Sequence, residues 1–293
     1  MKTVTPYLWY NTQARDAAEF YAQAIPRSRI LRSTVLTGTP SGSVEMIVAD
    51  IAGTRFDFMA AGPHTSFTPA VSFLLACESP DEADTLWEEL SGDGTVMMEL
   101  GPYDFSRRYG WVADRFGVSW QVMLTGELPV HGRLTPTLMF TGEVAGKAEE
   151  AIRFYTSLFP DSSVHEILRW SGSTTSDPDG TVKHASFSLT GMPFAAMDSA
   201  HPHPFGFSEA ISFMARCDTQ EEIDSLWQQL SAEPDAEQCG WLKDSYGVSW
   251  QIIPAVLDDM LFDGTDDQKR RVTEAFLKMK KMNITELERA YSE

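Results

Sequence analysis

Two side chains in the second half of the chain have the chemistry of a general acid–base pair. His184 alternates with Ser186 and Ser188 along a predicted strand, which puts its imidazole on the polar face. Asp198 ends the next predicted strand, where it can orient that imidazole. We identify His184 and Asp198 as the candidate catalytic pair, because a histidine exchanges protons near neutral pH. A solvated or hydrogen-bonded His184 without a catalytic role is the simpler alternative.

A second group of candidate residues lies in and around the segment CGWLKDSYGVSWQ, residues 239–251. The segment predicts a strand, a tight turn at a glycine and a second strand. In the second strand, alternation directs Trp250 towards a helix layer and its polar neighbours towards the opposite face. The predicted substrate-binding residues are Cys239, Trp241, Ser249, Gln251 and the equivalent Gln121. For Cys239, a buried thiol without reactivity is the simpler alternative.

These candidate residues belong to a sequence that the chain carries twice. Residues 109–121 read YGWVADRFGVSWQ, and eight of these thirteen positions are identical in residues 239–251. The similarity extends over residues 4–124 and 134–253, and a segment containing Gly and Pro separates the two copies. We predict a first domain at 1–126, a linker at 127–132, a second domain at 133–255 and a helical tail at 256–293.

Each repeat has the same elements in the same order, which are a strand, a helix and three strands, used twice. The strands alternate apolar and polar residues, and the helices have a single apolar stripe. Ser79 and Thr219 are predicted to cap two equivalent helices, each with a glutamate three residues later. Such elements pack as helices outside a curved sheet, whose polar face lines a cup. The tail is predicted to form an amphipathic helix at 266–282 that packs across a domain surface.

The composition limits the classes of partner. The chain has 293 residues and a net charge of −19, which argues against nucleic-acid binding, because phosphates are neutralised by clustered Lys and Arg. We also expect no membrane partner, since the sequence has neither an apolar run long enough to span a bilayer nor a signal-peptide pattern at its N-terminus. Three cysteines without a CxxC pair indicate a reducing compartment. The expected location is the cytoplasm.

Several motifs carry a resemblance to a known family. They are the openings TPYLWY and TPTLMF, the strands AVSF and AISF, the segment CGWLKD, the repeated GVSWQ and the C-terminal MKKMNITELERAY. They resemble the PhnB-like branch of the vicinal oxygen chelate (VOC) superfamily of glyoxalases, bleomycin resistance proteins and dioxygenases, a branch often labelled 3-demethylubiquinone-9 3-methyltransferase. The resemblance implies an α+β fold of tandem glyoxalase-type domains, each built from two βαβββ modules with a curved sheet forming a cup and helices outside. It also implies that the two domains face each other as an intramolecular pseudo-dimer.

The resemblance further implies positions for a metal. Members of the superfamily usually bind a divalent metal through His, Glu or Gln side chains from the first and last strands of their modules. Here the matching first-strand positions are about Pro6 and Pro136, which cannot ligate through their side chains. The last-strand positions are Gln121 and Gln251, which are weak neutral ligands. We therefore predict no cofactor and no stoichiometric divalent metal.

Two functions remain open for the expected small-molecule ligand. One is a glyoxalase-like protein that binds a small polar molecule in the cup of the second domain without the usual metal. The other is a VOC enzyme of the lyase, isomerase or dioxygenase type that uses His184 and Asp198; the first repeat has Met46 and Ala60 at these positions. A methyltransferase, as the family label suggests, is least supported, since the sequence has no GxGxG motif. Further self-association of the chain is left open.

Overall fold

The structure is a computed structural model that describes residues 3–125, 132–172 and 177–293. The strands of the first repeat are β1 (Val4–Tyr10), β2 (Arg29–Thr39), β3 (Gly42–Ile51), β4 (Thr54–Ala60), β5 (Val71–Cys77), β6 (Thr95–Tyr103), β7 (Ser106–Ala113) and β8 (Ser119–Leu124). Those of the second repeat are β9 (Leu134–Phe140), β10 (Ser163–Arg169), β11 (Val182–Leu189), β12 (Met192–Asp198), β13 (Ile211–Cys217), β14 (Trp241–Lys243) and β15 (Ser249–Pro254). The helices are α1 (Ala14–Ala24), α2 (Pro80–Ser91), α3 (Ala148–Leu158), α4 (Gln220–Leu230), α5 (Val256–Phe262), α6 (Asp266–Phe276) and α7 (Ile284–Ser292).

The strands form two large sheets, and each sheet combines strands from both repeats. The first sheet has the order β14-β15-β13-β1-β4-β3-β2, and the second sheet has the order β10-β11-β12-β9-β5-β8-β7-β6. The repeats meet where β1 pairs antiparallel with β13 and where β5 pairs antiparallel with β9. The predicted α+β fold with curved sheets is confirmed. Three modules have the predicted βαβββ order, whereas the last, which begins with β13, has only two strands after its helix, because a 3-10 turn at Pro234–Ala236 replaces the first of the three.

The composition of the sheets corrects one prediction, which gave the second domain a cup of its own. The first sheet takes four strands from the first repeat and three from the second, and the second sheet takes four from each, so the faces of the sheets are shared. The physical reason is that β1 and β9 have closely similar sequences, as do β5 and β13, so alternation alone does not select the partner of each strand. The predicted division into domains stays a prediction, because its linker at 127–132 lies almost entirely outside the described residues.

The two helices that begin with a predicted cap have that cap in the structure. The Ser79 hydroxyl accepts a hydrogen bond from the Glu82 N–H (3.2 Å), and Thr219 accepts one from the Glu222 N–H (3.3 Å). Each bond satisfies one of the amide groups that a helix leaves unpaired in its first turn. The repeat is thus preserved at the level of single hydrogen bonds.

A buried aspartate joins a helix to a sheet in each repeat. The Asp114 carboxylate accepts hydrogen bonds from the Tyr21 hydroxyl of α1 (2.6 Å), from the Trp120 indole of β8 (2.9 Å) and from two N–H groups of its own turn. Asp244 is bonded in the same way to Tyr155 of α3 (2.6 Å). Burial raises the pKa of Asp114 although these hydrogen bonds oppose the shift. These contacts place the tryptophan face of each closing strand against the helices, as the alternation predicts.

The tail, residues 256–293, packs across the first sheet. The Phe262 ring of α5 lies 4.1 Å from the Arg32 guanidinium of β2, and α6 also packs against β2. The packing across a surface is as predicted, but the predicted helix at 266–282 ends at Phe276 and α5 was not predicted. None of the helices in the described part of the chain has the length and apolar composition needed to cross a bilayer.

Candidate functional site

A cavity of about 550 Å³ lies between the first sheet and the tail. Both repeats and the tail contribute to its walls, which are mostly apolar. The lining includes Tyr7, Trp9, Met46 and Met59 from the first repeat, Met214, Trp241 and Gln251 from the second, and Leu257, Leu261 and Phe276 from the tail. The cavity therefore exists only where the two repeats and the tail come together.

Aromatic rings form one wall of the cavity. The Trp241 ring lies edge to face with Tyr7 and Trp9, with centroids 5.7 and 5.9 Å apart. The Trp9 indole donates a hydrogen bond to the Gly62 carbonyl (3.0 Å), whereas the Trp241 Nε1–H is buried without a hydrogen-bond partner among the described residues. The Nε1–H is closed off from the cavity by neighbouring atoms, so Trp241 contributes its ring, and not its N–H, to the cavity wall.

Gln251 of β15 also lines the cavity. Its Nε2 donates a hydrogen bond to the Ser212 Oγ (2.8 Å). Gln121 makes the equivalent bond in the second sheet, and its Oε1 also accepts a hydrogen bond from the Tyr109 hydroxyl (2.8 Å). The residue equivalent to Tyr109 is Cys239, which lines the cavity and has no hydroxyl to offer. The amide oxygen of Gln251 thus lacks the tyrosine donor that Gln121 has.

A cluster of buried charges lies at the floor of the cavity. Arg216 donates hydrogen bonds to the Asp258 carboxylate (3.0 Å), the Thr5 hydroxyl (2.6 Å) and the Asp57 carboxylate (2.9 Å). Arg55 bridges the same two carboxylates at 2.8 Å each. Burial of Asp57 opposes its ionisation, but the two guanidinium groups outweigh that effect and hold its pKa below the usual value. The cluster joins β4, β13 and the tail.

Sequence reasoning missed this charge cluster, although the repeat contains a signal for it. The second sheet has Ala195 where the first has Asp57, and it has Ala76 where the first has Arg216. Both charges therefore occur in the first sheet and both are missing from the equivalent positions of the second. Position-by-position comparison of the repeats could have singled out Asp57 and Arg216, but not their contact, because they lie 159 residues apart.

The predicted site residues do not all meet. Cys239, Trp241 and Gln251 line the cavity, and the buried Ser249 lies two residues earlier on the same strand. The remaining three, His184, Asp198 and Gln121, belong to the second sheet. Because each sheet combines strands of both repeats, the predicted site residues of the second repeat are divided between the two sheets.

Asp198 holds the backbone of its own sheet. One carboxylate oxygen accepts hydrogen bonds from the N–H groups of Gly146 (2.8 Å) and Ala148 (3.0 Å), and the other accepts one from the Val182 N–H (2.9 Å). Both oxygens are therefore occupied by backbone amides at the start of α3 and of β11. The catalytic role of Asp198 stays a prediction, and this geometry favours a structural one.

His184 is half-buried on β11. Burial lowers its pKa below the usual value, and the nearby Glu166 opposes this shift only in part. The imidazole is therefore neutral at pH 7, which is the state that a general base requires. Its predicted catalytic role is not tested by the structure.

The Cys239 thiol lies in a strained part of the backbone. Its φ angle is 53°, a left-handed value that is uncommon for residues other than glycine. Burial raises the pKa of the thiol, and a hydrogen bond from the Gln238 side chain opposes the shift. The thiol is therefore protonated at neutral pH and is a weak nucleophile.

The donor atoms around the cavity do not fit a divalent metal. Alternation places Tyr7, and not Pro6, on the cavity side of β1, which corrects the position inferred from the resemblance. Asp57 already binds two guanidinium groups, and Gln251 is a neutral amide. Across residues 3–125, 132–172 and 177–293, no group of three or more His, Cys, Asp or Glu side chains could hold a metal ion.

Comparisons with known proteins agree with this architecture. A family model described as 3-demethylubiquinone-9 3-methyltransferase matches residues 2–123 and, again, residues 132–253. A solved PhnB protein from Bacillus cereus with the same family label is 30% identical over 41% of this chain and 98% of that chain, with a TM-score of 0.39. No curated protein matches the chain significantly.

Two longer structures share the fold of nearly the whole chain. Glyoxalase I from Zea mays is 10% identical over 88% of this chain and 96% of that chain, with a TM-score of 0.54. A candidate dioxygenase from Bacillus subtilis is 12% identical over 99% of this chain and 96% of that chain, with a TM-score of 0.51. Because the family model covers both repeats, the chain belongs to the 3-demethylubiquinone-9 3-methyltransferase (PhnB-like) family, as a tandem form with the glyoxalase fold.

Proposed function

We propose that the protein binds and encloses a small molecule in the cavity between the first sheet and the tail, without the divalent metal usual in the superfamily. One observation carries the proposal, which is a mostly apolar cavity of about 550 Å³ lined by both repeats and the tail. Ligand sites in proteins commonly have volumes of roughly 300–1,000 Å³ and a few well-placed polar groups. Residues of both repeats line this cavity, so we no longer propose that the ligand binds in the second domain alone.

Apart from His64, whose ring lies edge to face with Trp9, the ionisable groups of the cavity favour binding over catalysis. The two floor carboxylates, Asp57 and Asp258, are paired with guanidinium groups. Burial raises the pKa of the Tyr7 phenol far above its usual value, and the Cys239 thiol is also kept protonated. General acid–base or nucleophilic catalysis requires a group whose proton or lone pair is available near pH 7. The enzyme alternative, with His184 in the second sheet, stays a prediction.

The apolar walls also revise the expected ligand. The alternation in β8 and β15 predicted a polar face and hence a small polar molecule. In the cavity, however, methionine, leucine and aromatic side chains of the first repeat and the tail form most of the lining around Gln251 of β15. An apolar body with few polar groups is the better match for such walls.

A neutral fluorescent ketone, 6-propionyl-2-dimethylaminonaphthalene (Prodan), tests the proposal directly. Its emission moves to shorter wavelength in apolar surroundings, so we expect a blue shift with the wild-type protein. Met59→Trp fills the cavity with a larger side chain and should abolish the shift. Met197→Trp, at the equivalent position of the second sheet, is the matched control and should preserve it. The same blue shift in Met59→Trp as in the wild type would refute the proposed site.

A further inference from the structure

The Tyr7 hydroxyl is a polar group without a protein partner in the cavity wall. Tyr7 is only 2% exposed, and its hydroxyl forms no hydrogen bond with any other residue that the structure describes. Among the described residues, an unpartnered side-chain N or O atom that is also fully enclosed occurs in Trp170, Trp241 and Thr273, and not in Tyr7. The Tyr7 hydroxyl therefore keeps accessible surface, and because Tyr7 lines the cavity, a ligand there can reach it.

The amide oxygen of Gln251 is available in the same way. The Gln251 Nε2 donates a hydrogen bond to the Ser212 Oγ (2.8 Å), whereas its Oε1 accepts none from the described residues. This oxygen is not enclosed either, so it too keeps accessible surface in the cavity. In the second sheet, the equivalent oxygen of Gln121 accepts a hydrogen bond from the Tyr109 hydroxyl (2.8 Å). A ligand hydroxyl can take the place of that donor beside Gln251.

The two available groups lie side by side on the first sheet. Strand pairing places Tyr7 of β1 opposite Ser212 of β13, whose Oγ accepts the hydrogen bond from Gln251. Trp241 is paired with Gln251, and its ring lies edge to face with Tyr7 at 5.7 Å. One ligand can therefore contact both groups. The second sheet has Thr137 at the position of Tyr7, so this pair of groups belongs to the first sheet alone.

The chemistry of the pair favours a hydroxyl over other polar groups. Burial raises the pKa of Tyr7 far above its usual value, so its hydroxyl stays protonated and can both donate and accept. The Gln251 Oε1 can only accept. A ligand hydroxyl satisfies both groups, whereas an ether or a ketone satisfies Tyr7 and leaves the Gln251 oxygen unpaired.

The carboxylates of the lining already have partners. Asp57 and Asp258 are both bonded to Arg216, and Glu209 is paired with Lys243 at 2.6 Å. A cationic ligand would therefore lose its hydration and compete with guanidinium and ammonium groups that are already in place.

His64 is the remaining group of the lining that can carry a positive charge. Its side chain is exposed, and its ring lies edge to face with Trp9 at 5.9 Å. Trp9 follows Tyr7 by two residues on the same face of β1, so His64 lies beyond Tyr7, where the cavity meets solvent. Water screens a charge at such a position, so His64 adds little to the affinity for an anion.

We propose that the ligand carries a hydroxyl group on an apolar body, and that this hydroxyl accepts a hydrogen bond from Tyr7 and donates one to the Gln251 amide oxygen. This inference rests on the proposed function, because it names the chemical class that the cavity takes. It assigns to Tyr7 and Gln251 the role of specificity-determining residues.

Four naphthalene derivatives of similar size test this assignment. They are 2-naphthalenemethanol, its isomer 2-methoxynaphthalene, 2-naphthoate and 2-naphthylmethylammonium, which are respectively an alcohol, an ether that only accepts, an anion and a cation. Affinities are measured by displacement of Prodan, whose own affinity is determined for each variant. The variants are Tyr7→Phe and Gln251→Met, which remove the two groups, and Tyr109→Phe, which removes a buried hydroxyl from the second sheet as the matched control.

We expect 2-naphthalenemethanol to bind the wild type and Tyr109→Phe about fivefold more tightly than 2-methoxynaphthalene, and to bind more tightly than either ion. In Tyr7→Phe and in Gln251→Met the preference for the alcohol should fall below about twofold. Tyr7→Phe is the decisive variant, because the hydroxyl that it removes has no bond within the described part of the chain and its loss should leave the fold intact.

Several results would overturn the inference. They are equal or tighter binding of the ether by the wild type, an unchanged preference in either first-sheet variant, and no displacement of bound Prodan by any of the four compounds. Tighter binding of the anion would assign recognition to His64, and tighter binding of the cation would assign it to the carboxylates, so either would also overturn it. Absence of a Prodan blue shift with the wild type is a different result, because the proposed function then fails and the inference falls with it.

Discussion

A single difference between the repeats helps to open the cavity. Tyr109 fills part of the second sheet and donates a hydrogen bond to Gln121 (2.8 Å). In the first sheet the equivalent residue is Cys239, whose thiol is shorter than a phenol ring and leaves space beside Gln251. The glutamines are the same residue at the same repeat position, but their surroundings differ. The surroundings of each glutamine are therefore set by a neighbouring side chain, which is Tyr109 for Gln121 and Cys239 for Gln251.

Asp198→Ala is expected to destabilise the protein by about 3 kcal/mol, because three backbone N–H groups, two of them buried, lose their acceptor and an unpaired buried group costs about 1–3 kcal/mol. Urea denaturation measures the change. Prodan binding by the folded fraction should stay unchanged, since Asp198 belongs to the other sheet.

His184→Met is the control for this variant, because it introduces the residue present at the equivalent position, Met46. We expect it to change stability by less than about 1 kcal/mol. A different result would instead support the catalytic pair predicted from the sequence. In that result, both variants lose ligand binding or a measurable turnover, and Asp198→Ala keeps its stability.

At the scale of elements, the tail closes the cavity by bonds to two separate parts of the first sheet. Just before β14, the Cys239 N–H donates a hydrogen bond to the Met279 carbonyl (2.9 Å). The Gly240 N–H donates a second one to the Lys280 carbonyl (2.8 Å). On the other side, Asp258 of α5 accepts a hydrogen bond from Arg216 (3.0 Å). The tail is thus held by backbone pairing at one side and by a charge cluster at the other.

Asp258→Ala is expected to lower stability by about 2 kcal/mol and to loosen the tail, because it leaves the buried Arg216 with one carboxylate fewer. The partial exposure of Asp258 reduces the effect compared with a fully buried pair. Thermal denaturation and limited proteolysis within the tail measure the two effects. Asp259→Ala, at the exposed neighbouring position, should leave both unchanged. Equal protease resistance of the two variants would mean that the charge cluster does not hold the tail.

At the scale of the whole molecule, the two repeats depend on each other. Each sheet is continuous only because β1 pairs with β13 and β5 pairs with β9. The arrangement is that of a dimer whose two subunits have been joined in one chain, as the resemblance to single-domain relatives implied. The site at the first sheet uses β1–β4 from one repeat, β13–β15 from the other, and the tail.

Residues 1–125 and residues 132–293, produced as separate polypeptides, are expected not to bind Prodan individually, because each lacks part of the cavity wall. Co-expression should yield a complex that purifies together and restores the blue shift, since the sheets are held by the same strand pairs. Size-exclusion chromatography and Prodan emission check both statements. Binding by residues 132–293 alone, at the affinity of the full chain, would return the site to the second repeat, as the sequence first predicted.

The sequence by itself determined the parts of this protein that depend on local patterns. The near-identity of residues 109–121 and 239–251 established the repeat, and period-two alternation placed Trp120 and Trp250 against the helices and Gln251 on the open face. Capping motifs marked the starts of α2 and α4 correctly. These features involve residues close together in the chain, so that short-range sterics and hydrogen bonding specify them.

Only the tertiary structure decided which strands meet and therefore which residues share a site. The patterns of β1 and β9 are nearly the same, and a strand pattern specifies the face of a side chain but not its partner strand. Pairing of β13 with β1 brought Trp241 to Tyr7 and Arg216 to Asp57, while His184 and Asp198 went to the other sheet. The pairing of strands depends on long-range packing and on cover by the tail. Its free energy is summed over whole sheets, so no short segment of the sequence specifies which strands pair.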